Sequence, residues 1–261
     1  MTLILTVYFF FLGLALASFL NALMYRIDKE YKYPDIFVKP SHCEKCKKEL
    51  KWFDLIPVLS YIFTKGKCSK CGTKVNIYYP ISELFLGISL ALLFYTTAPW
   101  FAYPILILLF SLSYFDFHYM AIPTMPTISF AVLGMVYLII LSILGNQVIF
   151  NAFLSGVILI GLILILLLIM YGYKNLREGF GMGDFIILLA LSAFLSTKEF
   201  WLMFWVSIYS TLIVILIGFI TGKYSKKTPL PLLPFITFGF VVVVTYGDII
   251  LDFLNRTLAI F

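Results

Sequence analysis

The sequence predicts an all-α polytopic membrane protein that carries a small cytoplasmic, zinc-ribbon-like insertion. Hydrophobic residues make up 62% of the chain and charged residues only 12%, and the mean hydropathy is +1.02. Both values lie far outside the range of water-soluble globular domains. In addition, polar residues concentrate in one island near the N-terminus, and almost continuous apolar sequence follows it. We therefore expect a bundle of transmembrane helices with one polar insertion.

The apolar runs predict about eight transmembrane helices, each needing roughly 20 residues to cross a bilayer. The first run lacks a basic start and a small-residue cleavage site, so we interpret it as a retained helix and not as a signal peptide. The sixth run is short, which is typical of a tilted or re-entrant segment. The expected spans are residues 3–25, 80–98, 101–117, 124–144, 148–171, 184–197, 200–221 and 232–254.

The basic residues predict how the chain is oriented in the membrane. Residues 26–80 hold twelve of the nineteen Lys and Arg residues, and cytoplasmic loops accumulate these residues. If this island is cytoplasmic, helix alternation leaves only Lys198 and Arg256 outside and places both termini outside. The further basic residues then expected inside are Lys174, Arg177, Lys223, Lys226 and Lys227. We therefore divide the chain into a first helix (1–25), a cytoplasmic four-cysteine domain (26–80) and a membrane-embedded domain (81–261).

The island contains the chain's four cysteines in two C-x2-C pairs separated by twenty-one residues. Four thiolates at this spacing are the ligands of a structural tetrahedral Zn²⁺, and the metal would supply much of the folding free energy of so small a domain. Two disulfides or four free thiols are the alternatives, of which a reducing cytoplasm disfavours the first. The predicted ligands are Cys43, Cys46, Cys68 and Cys71.

The charge of the island predicts its surroundings. Residues 26–80 hold twelve basic and six acidic residues. A basic juxtamembrane segment is attracted to anionic lipid headgroups. We therefore expect the lipid bilayer as its partner and no nucleic acid.

Two acids at span ends are the candidate catalytic groups. Asp116 lies at the end of the third expected span and Asp184 is the first residue of the sixth, so the predicted topology places both at the cytoplasmic membrane boundary. Two carboxyl groups in a partly dry site cannot both ionise without a large cost in free energy. The pair therefore holds one proton between them. Such a pair suits peptide hydrolysis, because the ionised partner activates water while the protonated partner donates to the scissile carbonyl and then to the leaving amine.

The glycines of the stretch GFGMGDF support this interpretation. Gly181 and Gly183 lack a Cβ, so they permit the turn that orients Asp184 and let an extended substrate backbone approach closely. Pro123 breaks helix continuity seven residues after Asp116. The same stretch is also similar to a nucleotide-binding glycine loop, but it follows a membrane helix and not a strand.

Each of these residues also has a structural explanation. Asp184 after a glycine could serve only as a helix N-cap, and Asp116 could be an interfacial acid, although acids inside membrane spans are usually functional. His118 could tune the acid pair or simply lie in water at the interface. Glu83 could be a third site group or a residue at the headgroup boundary. The residues alone leave these alternatives open.

Together these motifs resemble the type IV prepilin peptidases, membrane aspartyl proteases of the GxGD class. The resemblance covers most of the chain in the family's order. It departs from the family's usual residues at Glu44, Thr124 and Ile186. The segments that carry the resemblance are GLALASFLNALMYRI, WFDLIPVLSYIFTKGKCSKCG, YYPISELFLG, FDFHYMAIP, EGFGMGDF and LPFITFG.

The resemblance implies a peptidase of the prokaryotic inner membrane that removes the short basic leader of prepilins or pseudopilins on the cytoplasmic side. Asp116 and Asp184 match the family's two catalytic acids, which makes 81–261 the peptidase domain. Many members also methylate the new N-terminus with S-adenosylmethionine, an activity associated with the N-terminal and cysteine-containing region. No residue of this chain is identified as a ligand of that methyl donor.

Two further points are hypotheses at this stage. The basic island would repel a basic leader, so we expect acidic residues such as Glu83 or Glu178, or lipid headgroups, to receive it. The alternative functions are an ion-coupled transporter that uses the two acids as a proton relay, and a structural adaptor that docks through the cysteine island.

Overall fold

A computed structural model describes residues 2–143, 153–154, 157, 161, 182–222 and 230–258 of the chain. Within these residues the secondary structure is helical, with two isolated β-bridges and no β-strand. The predicted all-α class is therefore confirmed. The chain forms two compact units, Met1–Ile107 and Leu108–Phe261. The finer division at residues 25 and 80 stays a prediction.

The first unit contains two long apolar helices joined by the polar island. The island contains two short α-helices and one turn of 3₁₀-helix at Trp52–Leu55, with the cysteines in the loops between these elements. A further helix begins near the end of the unit and continues into the second. The α-helices are α1 (Thr2–Asp28), α2 (Asp35–Val38), α3 (Leu59–Phe63), α4 (Tyr78–Tyr95) and α5 (Ala102–Tyr119).

Helices α1 and α4 cross closely because small residues meet at the crossing point. A Cβ atom built on Gly13 would lie 2.7 Å from Gly87 Cα and 2.7 Å from the Leu86 carbonyl oxygen, which is closer than real Cβ contacts. Close backbone approach through small residues is typical of membrane helix pairs. At the same interface, buried Asn21 donates through Nδ2 to Ser82 Oγ at 2.9 Å, so a side-chain hydrogen bond also joins the two helices.

The described part of the second unit contains the end of α5 and four further helices. These helices are α6 (Thr124–Ile143), α7 (Met182–Ser192), α8 (Thr197–Ile220) and α9 (Leu233–Leu258). Helix α8 begins with a capping box, in which Ser196 and Glu199 each bond the other's backbone N–H. It packs against α9, and α6 packs against α7. The ring of Phe130 on α6 stacks on that of Phe194, just after α7, with centroids 5.9 Å apart.

Four of the described helices are long and apolar enough to cross a membrane. Shorter apolar helices occupy Thr124–Ile140 and Gly183–Ser192, the second of which was expected to be a short span. The expected fifth span, 148–171, lies almost entirely outside the described residues. The chain is therefore a helical membrane protein, and the eight spans expected from hydropathy are not confirmed. The four long helices are Thr2–Asp28, Tyr78–Tyr95, Thr197–Ile220 and Leu233–Thr257.

Candidate active site and metal centre

Asp116 lies near the C-terminal end of α5, with only 6% of its surface exposed. Its Oδ2 atom accepts a hydrogen bond of 2.8 Å from the backbone N–H of Leu233, and the N–H of Leu232 also bonds the carboxylate. Leu233 is the first residue of α9, so the carboxylate occupies the N-terminus of that helix. Helix N-termini have free N–H groups and a partial positive charge, and both stabilise an anion.

A second polar contact fixes α5 against α9 one turn away from Asp116. Ser113 Oγ lies 2.9 Å from Thr237 Oγ1, and both side chains are buried. Ser113 precedes Asp116 by three residues and Thr237 follows Leu233 by four, so the two contacts lie on the same faces of the two helices. The position of the Asp116 carboxylate is therefore set by a pair of hydrogen-bonded contacts between α5 and α9.

Asp184 lies in the first turn of α7 and is half-buried. Its Oδ1 atom is buried and has no hydrogen-bond partner among the described residues. An N-cap aspartate would place its carboxylate on the free N–H groups of its own helix. A buried carboxyl oxygen without a described partner is uncommon, and a role for Asp184 beyond capping stays a prediction.

The structure brings the two acids into electrostatic interaction. Repulsion between Asp116 and Asp184 acts across the space between α5 and α7, although 68 residues separate them in sequence. Gly183 contributes to this arrangement, since a Cβ on it would lie 3.1 Å from the side chain of Ile122. The start of α7 therefore packs closely on the turn that follows α5, and the role of Gly183 in admitting a substrate backbone stays a prediction.

The other predicted site residues have different surroundings. Glu83 is 8% exposed, and its Oε2 atom accepts the backbone N–H of Val58 at 2.7 Å, while Ser18 also bonds the carboxylate. His118 stacks on the Tyr114 ring with centroids 4.2 Å apart, and its Nδ1 lies 2.9 Å from the Tyr114 carbonyl oxygen. The remaining predicted site residues, Gly181 and Glu178, lie outside the described residues.

The four cysteines converge in the first unit. Cys43 Sγ lies 3.8 Å from Cys71 Sγ, Cys46 Sγ lies 3.9 Å from Cys68 Sγ, and all four sulfur atoms are within 4.8 Å of one another. None of them forms a disulfide. Four sulfurs at about 2.3 Å from a tetrahedral metal ion lie about 3.8 Å apart. Two of the sulfur–sulfur distances therefore already match those of a tetrahedral metal site, and the four cysteines form a donor set suited to one.

Each C-x2-C pair lies in the same local turn. The N–H of the first cysteine bonds the carbonyl of the residue five positions later, Cys43 to Lys48 at 2.9 Å and Cys68 to Thr73 at 2.8 Å. The bridges that close these turns pair His42 with Glu49 and Lys67 with Lys74. The second turn therefore has the same hydrogen bonds as the first turn, and it lies twenty-five residues further along the chain.

Both turns require a left-handed backbone four residues after the first cysteine. Lys47 has φ +55° and Gly72 has φ +68°. Only glycine adopts this conformation without a steric cost. The second turn is thus relaxed, whereas the first places a non-glycine residue in a strained conformation.

The second turn also favours the thiolate form that metals bind. The Thr73 hydroxyl and backbone N–H lower the pKa of the Cys71 thiol to about 6, and Cys71 Sγ lies 3.3 Å from Thr73 Oγ1. Metal binding requires deprotonated cysteines. The hydrogen bonds around Cys71 therefore favour its thiolate form.

Sequence reasoning did not find the groups that hold Asp116. They are the backbone N–H of Leu233 and the Ser113–Thr237 contact. The available signal was a pair of hydroxyl residues in otherwise apolar helices, and Thr237 belongs to the segment LPFITFG. Hydropathy alone does not say which helices meet.

Two family profiles match the chain in tandem. The family described as Bacterial Peptidase A24 N-terminal domain matches residues 11–97, which include all four cysteines. The Type IV leader peptidase family matches residues 103–224, which include both aspartates.

Individual proteins are similar over most of the chain. A Bacillus subtilis (strain 168) protein named prepilin leader peptidase/N-methyltransferase is 29% identical over 94% of this chain and 95% of its own length. A protein of the same name from Pectobacterium carotovorum subsp. carotovorum is 28% identical over 88% of this chain and 89% of its own length. Another, from Neisseria gonorrhoeae, is 28% identical over 75% of this chain and 76% of its own length. No solved structure matches the chain.

Proposed function

The chain belongs to the type IV leader peptidase family, and from that premise we propose that it is an aspartyl endopeptidase that removes the basic leader from prepilins or pseudopilins. As a member of this family the chain is a membrane peptidase. The single observation that supports the aspartyl mechanism best is the electrostatic interaction between Asp116 and Asp184, which lie within the matched family region. The described residues offer nothing that favours an ion-coupled transporter.

In the proposed mechanism the two acids divide the proton chemistry between them. Asp116 receives backbone N–H bonds at the start of α9, an environment that holds a negative charge. We therefore expect it to be the ionised partner that takes a proton from the attacking water. Asp184, whose Oδ1 has no described partner, then carries the shared proton. It hydrogen-bonds the scissile carbonyl oxygen through that proton and transfers it to the leaving amine when the C–N bond breaks, so the pair again holds one proton, now on Asp116.

The membrane position of the acids fits a prepilin substrate. A prepilin has an apolar helix in the bilayer and a basic leader outside it, so its cleavage point lies at a membrane boundary. From the positive-inside rule we expect both acids at the cytoplasmic boundary of the membrane. Glu178 remains a proposed contact for the leader, whereas Glu83 is buried and bonded to Val58 and Ser18, so its carboxylate is not directed to solvent.

For the four cysteines we propose a structural zinc site. Cys43, Cys46, Cys68 and Cys71 would hold the ion, because their spacing and donor chemistry fit Zn²⁺. The bound ion would stabilise the island, whose described elements are only short helices joined by loops. All four thiolates serve as ligands, so this site leaves no open position for catalysis.

The relatives' name further supports methylation of the new N-terminus as a second activity. S-adenosylmethionine would be the methyl donor. No described residue is assigned to that donor, so the proposal of methylation rests on the relatives alone.

The test of the peptidase is cleavage of a prepilin-like substrate in membranes that contain the full chain. Asp116→Asn and Asp184→Asn should each reduce the cleavage rate by at least about 100-fold, since each removes one member of an acid–base pair. Asp248→Asn is the matched control, because Asp248 is exposed and lies fifteen residues beyond Leu233 on the same helix. Its rate should equal that of the wild type.

Membrane abundance of each variant is measured alongside cleavage, so that a folding defect is not taken for a catalytic one. If Asp116→Asn or Asp184→Asn cleaves at the wild-type rate, the two-aspartate mechanism is wrong.

A further inference from the structure

The polar island exposes an apolar surface that the peptidase and zinc proposals do not use. It belongs to residues 52–63, which include the 3₁₀ turn and α3. Trp52 and Phe63 expose 76% and 79% of their surfaces, and Phe53, Leu55, Leu59 and Ile62 are also exposed. Soluble domains rarely leave a contiguous surface of this kind in water, and this segment lies outside every expected span.

Three of these side chains share one face of α3. Leu59, Ile62 and Phe63 have i, i+3 and i+4 spacing on α3, which places them on one helix face. Helix α3 packs on the 3₁₀ turn, where the rings of Trp52 and Phe53 meet edge to face with centroids 5.8 Å apart. The segment therefore carries a short amphipathic element with a tryptophan beside it.

The hydrogen bond between Val58 and Glu83 fixes the depth of this segment relative to α4. The Val58 N–H donates to Glu83 Oε2 at 2.7 Å, and Val58 has φ +61°, a strained conformation for a β-branched residue. Val58 is the residue before α3. The bond therefore holds the start of α3 beside the position on α4 that Glu83 occupies.

The length of α4 indicates how deep in the membrane this contact lies. Helix α4 has 18 residues and is one of the four described helices able to span, and its length of about 27 Å is slightly less than the roughly 30 Å of a hydrocarbon core. Its first residues therefore lie at the membrane boundary. Glu83 lies five residues in, about 7.5 Å along the axis, so α3 is held at or below the headgroup level.

The charges around the segment fit an anionic membrane surface. Lys51, Lys65 and Lys67 flank it and are exposed. Lys51 Nζ lies 5.8 Å from the centroid of the Phe53 ring, so the charged and aromatic groups are adjacent. Basic residues beside a tryptophan and aliphatic side chains are typical of interfacial helices.

We propose that residues 52–63 form a membrane-interface anchor, with Trp52, Leu59, Ile62 and Phe63 inserted at the boundary of headgroups and acyl chains. The occupant of the apolar surface is lipid, because the bilayer surrounds α4 at this depth whether or not substrate is bound. The anchor holds the four-cysteine domain against the membrane surface. This proposal depends on the chain being a membrane protein and not on its peptidase activity.

The test uses the full-length protein in vesicles of phosphatidylcholine and phosphatidylglycerol with brominated acyl chains. The chain has four tryptophans, so a Trp100→Phe, Trp201→Phe, Trp205→Phe variant reports on Trp52 alone. We expect bromines near the headgroup end to quench its fluorescence more strongly than bromines deep in the chains. Iodide in the water should quench it several-fold less than it quenches a free tryptophan derivative.

The matched control retains Trp205 in place of Trp52. Trp205 is exposed on the apolar helix α8, so brominated lipid should quench it. Retention of zinc and membrane abundance by each variant shows that the fold is intact. Quenching of Trp52 by iodide and not by brominated lipid would overturn the proposal, as would protection from both quenchers, which would indicate coverage by protein.

Discussion

The cysteine cluster and the aspartate pair are assembled in opposite ways. Each half of the cluster is a turn of eight residues closed by its own backbone bonds, and the two halves lie twenty-five residues apart. The aspartate pair needs α5, α7 and α9 together, and Asp116 is bonded to a residue 117 positions away. The first arrangement is therefore controlled by local sequence and the second by helix packing, so substitutions should affect the two sites independently.

The largest expected effect is the removal of one metal ligand. Cys46→Ser should reduce bound zinc from about one ion per chain to near zero, because the remaining ligands do not complete the tetrahedral set. Elemental analysis of the purified protein measures the metal, and limited proteolysis of membranes follows the island. Ser69→Ala, between the second pair of cysteines, is the control and should retain zinc. Full zinc content in Cys46→Ser would show that the cluster is not the metal site.

A smaller effect should separate the aspartate pair from the cluster. A Cβ on Gly239 would overlap Ser207 Oγ and lie 2.8 Å from the Met203 carbonyl oxygen. Gly239→Ala should therefore displace α9 from α8, cost about 1–3 kcal/mol of stability and slow leader cleavage, because α9 holds Asp116. Zinc content should stay unchanged.

The control for this substitution is Gly247→Ala on the same helix, where the nearest atom lies at an ordinary 3.4 Å. Thermal unfolding in detergent and the cleavage assay provide the two measurements. Equal behaviour of the two alanine variants would contradict the view that packing of α9 controls the aspartate pair.

The smallest effect concerns the backbone of the two cysteine turns. Gly72→Ala forces a side chain into a left-handed conformation and should weaken zinc binding by about 1 kcal/mol, roughly fivefold. Lys47→Gly removes the same strain from the first turn, but the flexibility of glycine in the unfolded chain offsets most of the gain. Competition with a chelator measures both affinities. A larger loss for Lys47→Gly than for Gly72→Ala would contradict the strain argument.

The sequence was sufficient for features that depend on composition or local spacing. Hydropathy predicted the all-α membrane class, and the C-x2-C spacing predicted the convergence of Cys43, Cys46, Cys68 and Cys71, which the structure confirms. The expectation that Asp116 and Asp184 approach each other agrees with their electrostatic interaction. Their catalytic role stays a prediction.

The features that sequence did not predict depend on which helix faces meet. Nothing local to Glu83 indicates that its partner is the N–H of Val58, and nothing local to Gly183 indicates that Ile122 fills the space beside it. Hydropathy measures only how apolar a segment is, so the number of spans stays a prediction. Helix α7 has 11 described residues, too few to cross a bilayer alone, as expected for the short sixth run.

The equivalence of the two cysteine turns has a consequence for how such a site is built. Contacts Cys43–Cys71 and Cys46–Cys68 exchange with each other when the two turns are interchanged, so the cluster has an approximate twofold axis through its centre. A twofold site does not require that both halves belong to one chain. A peptide containing residues 41–50 alone therefore has the geometry to form a metal-bridged homodimer, and the linker in the intact protein replaces that bimolecular association with an intramolecular one.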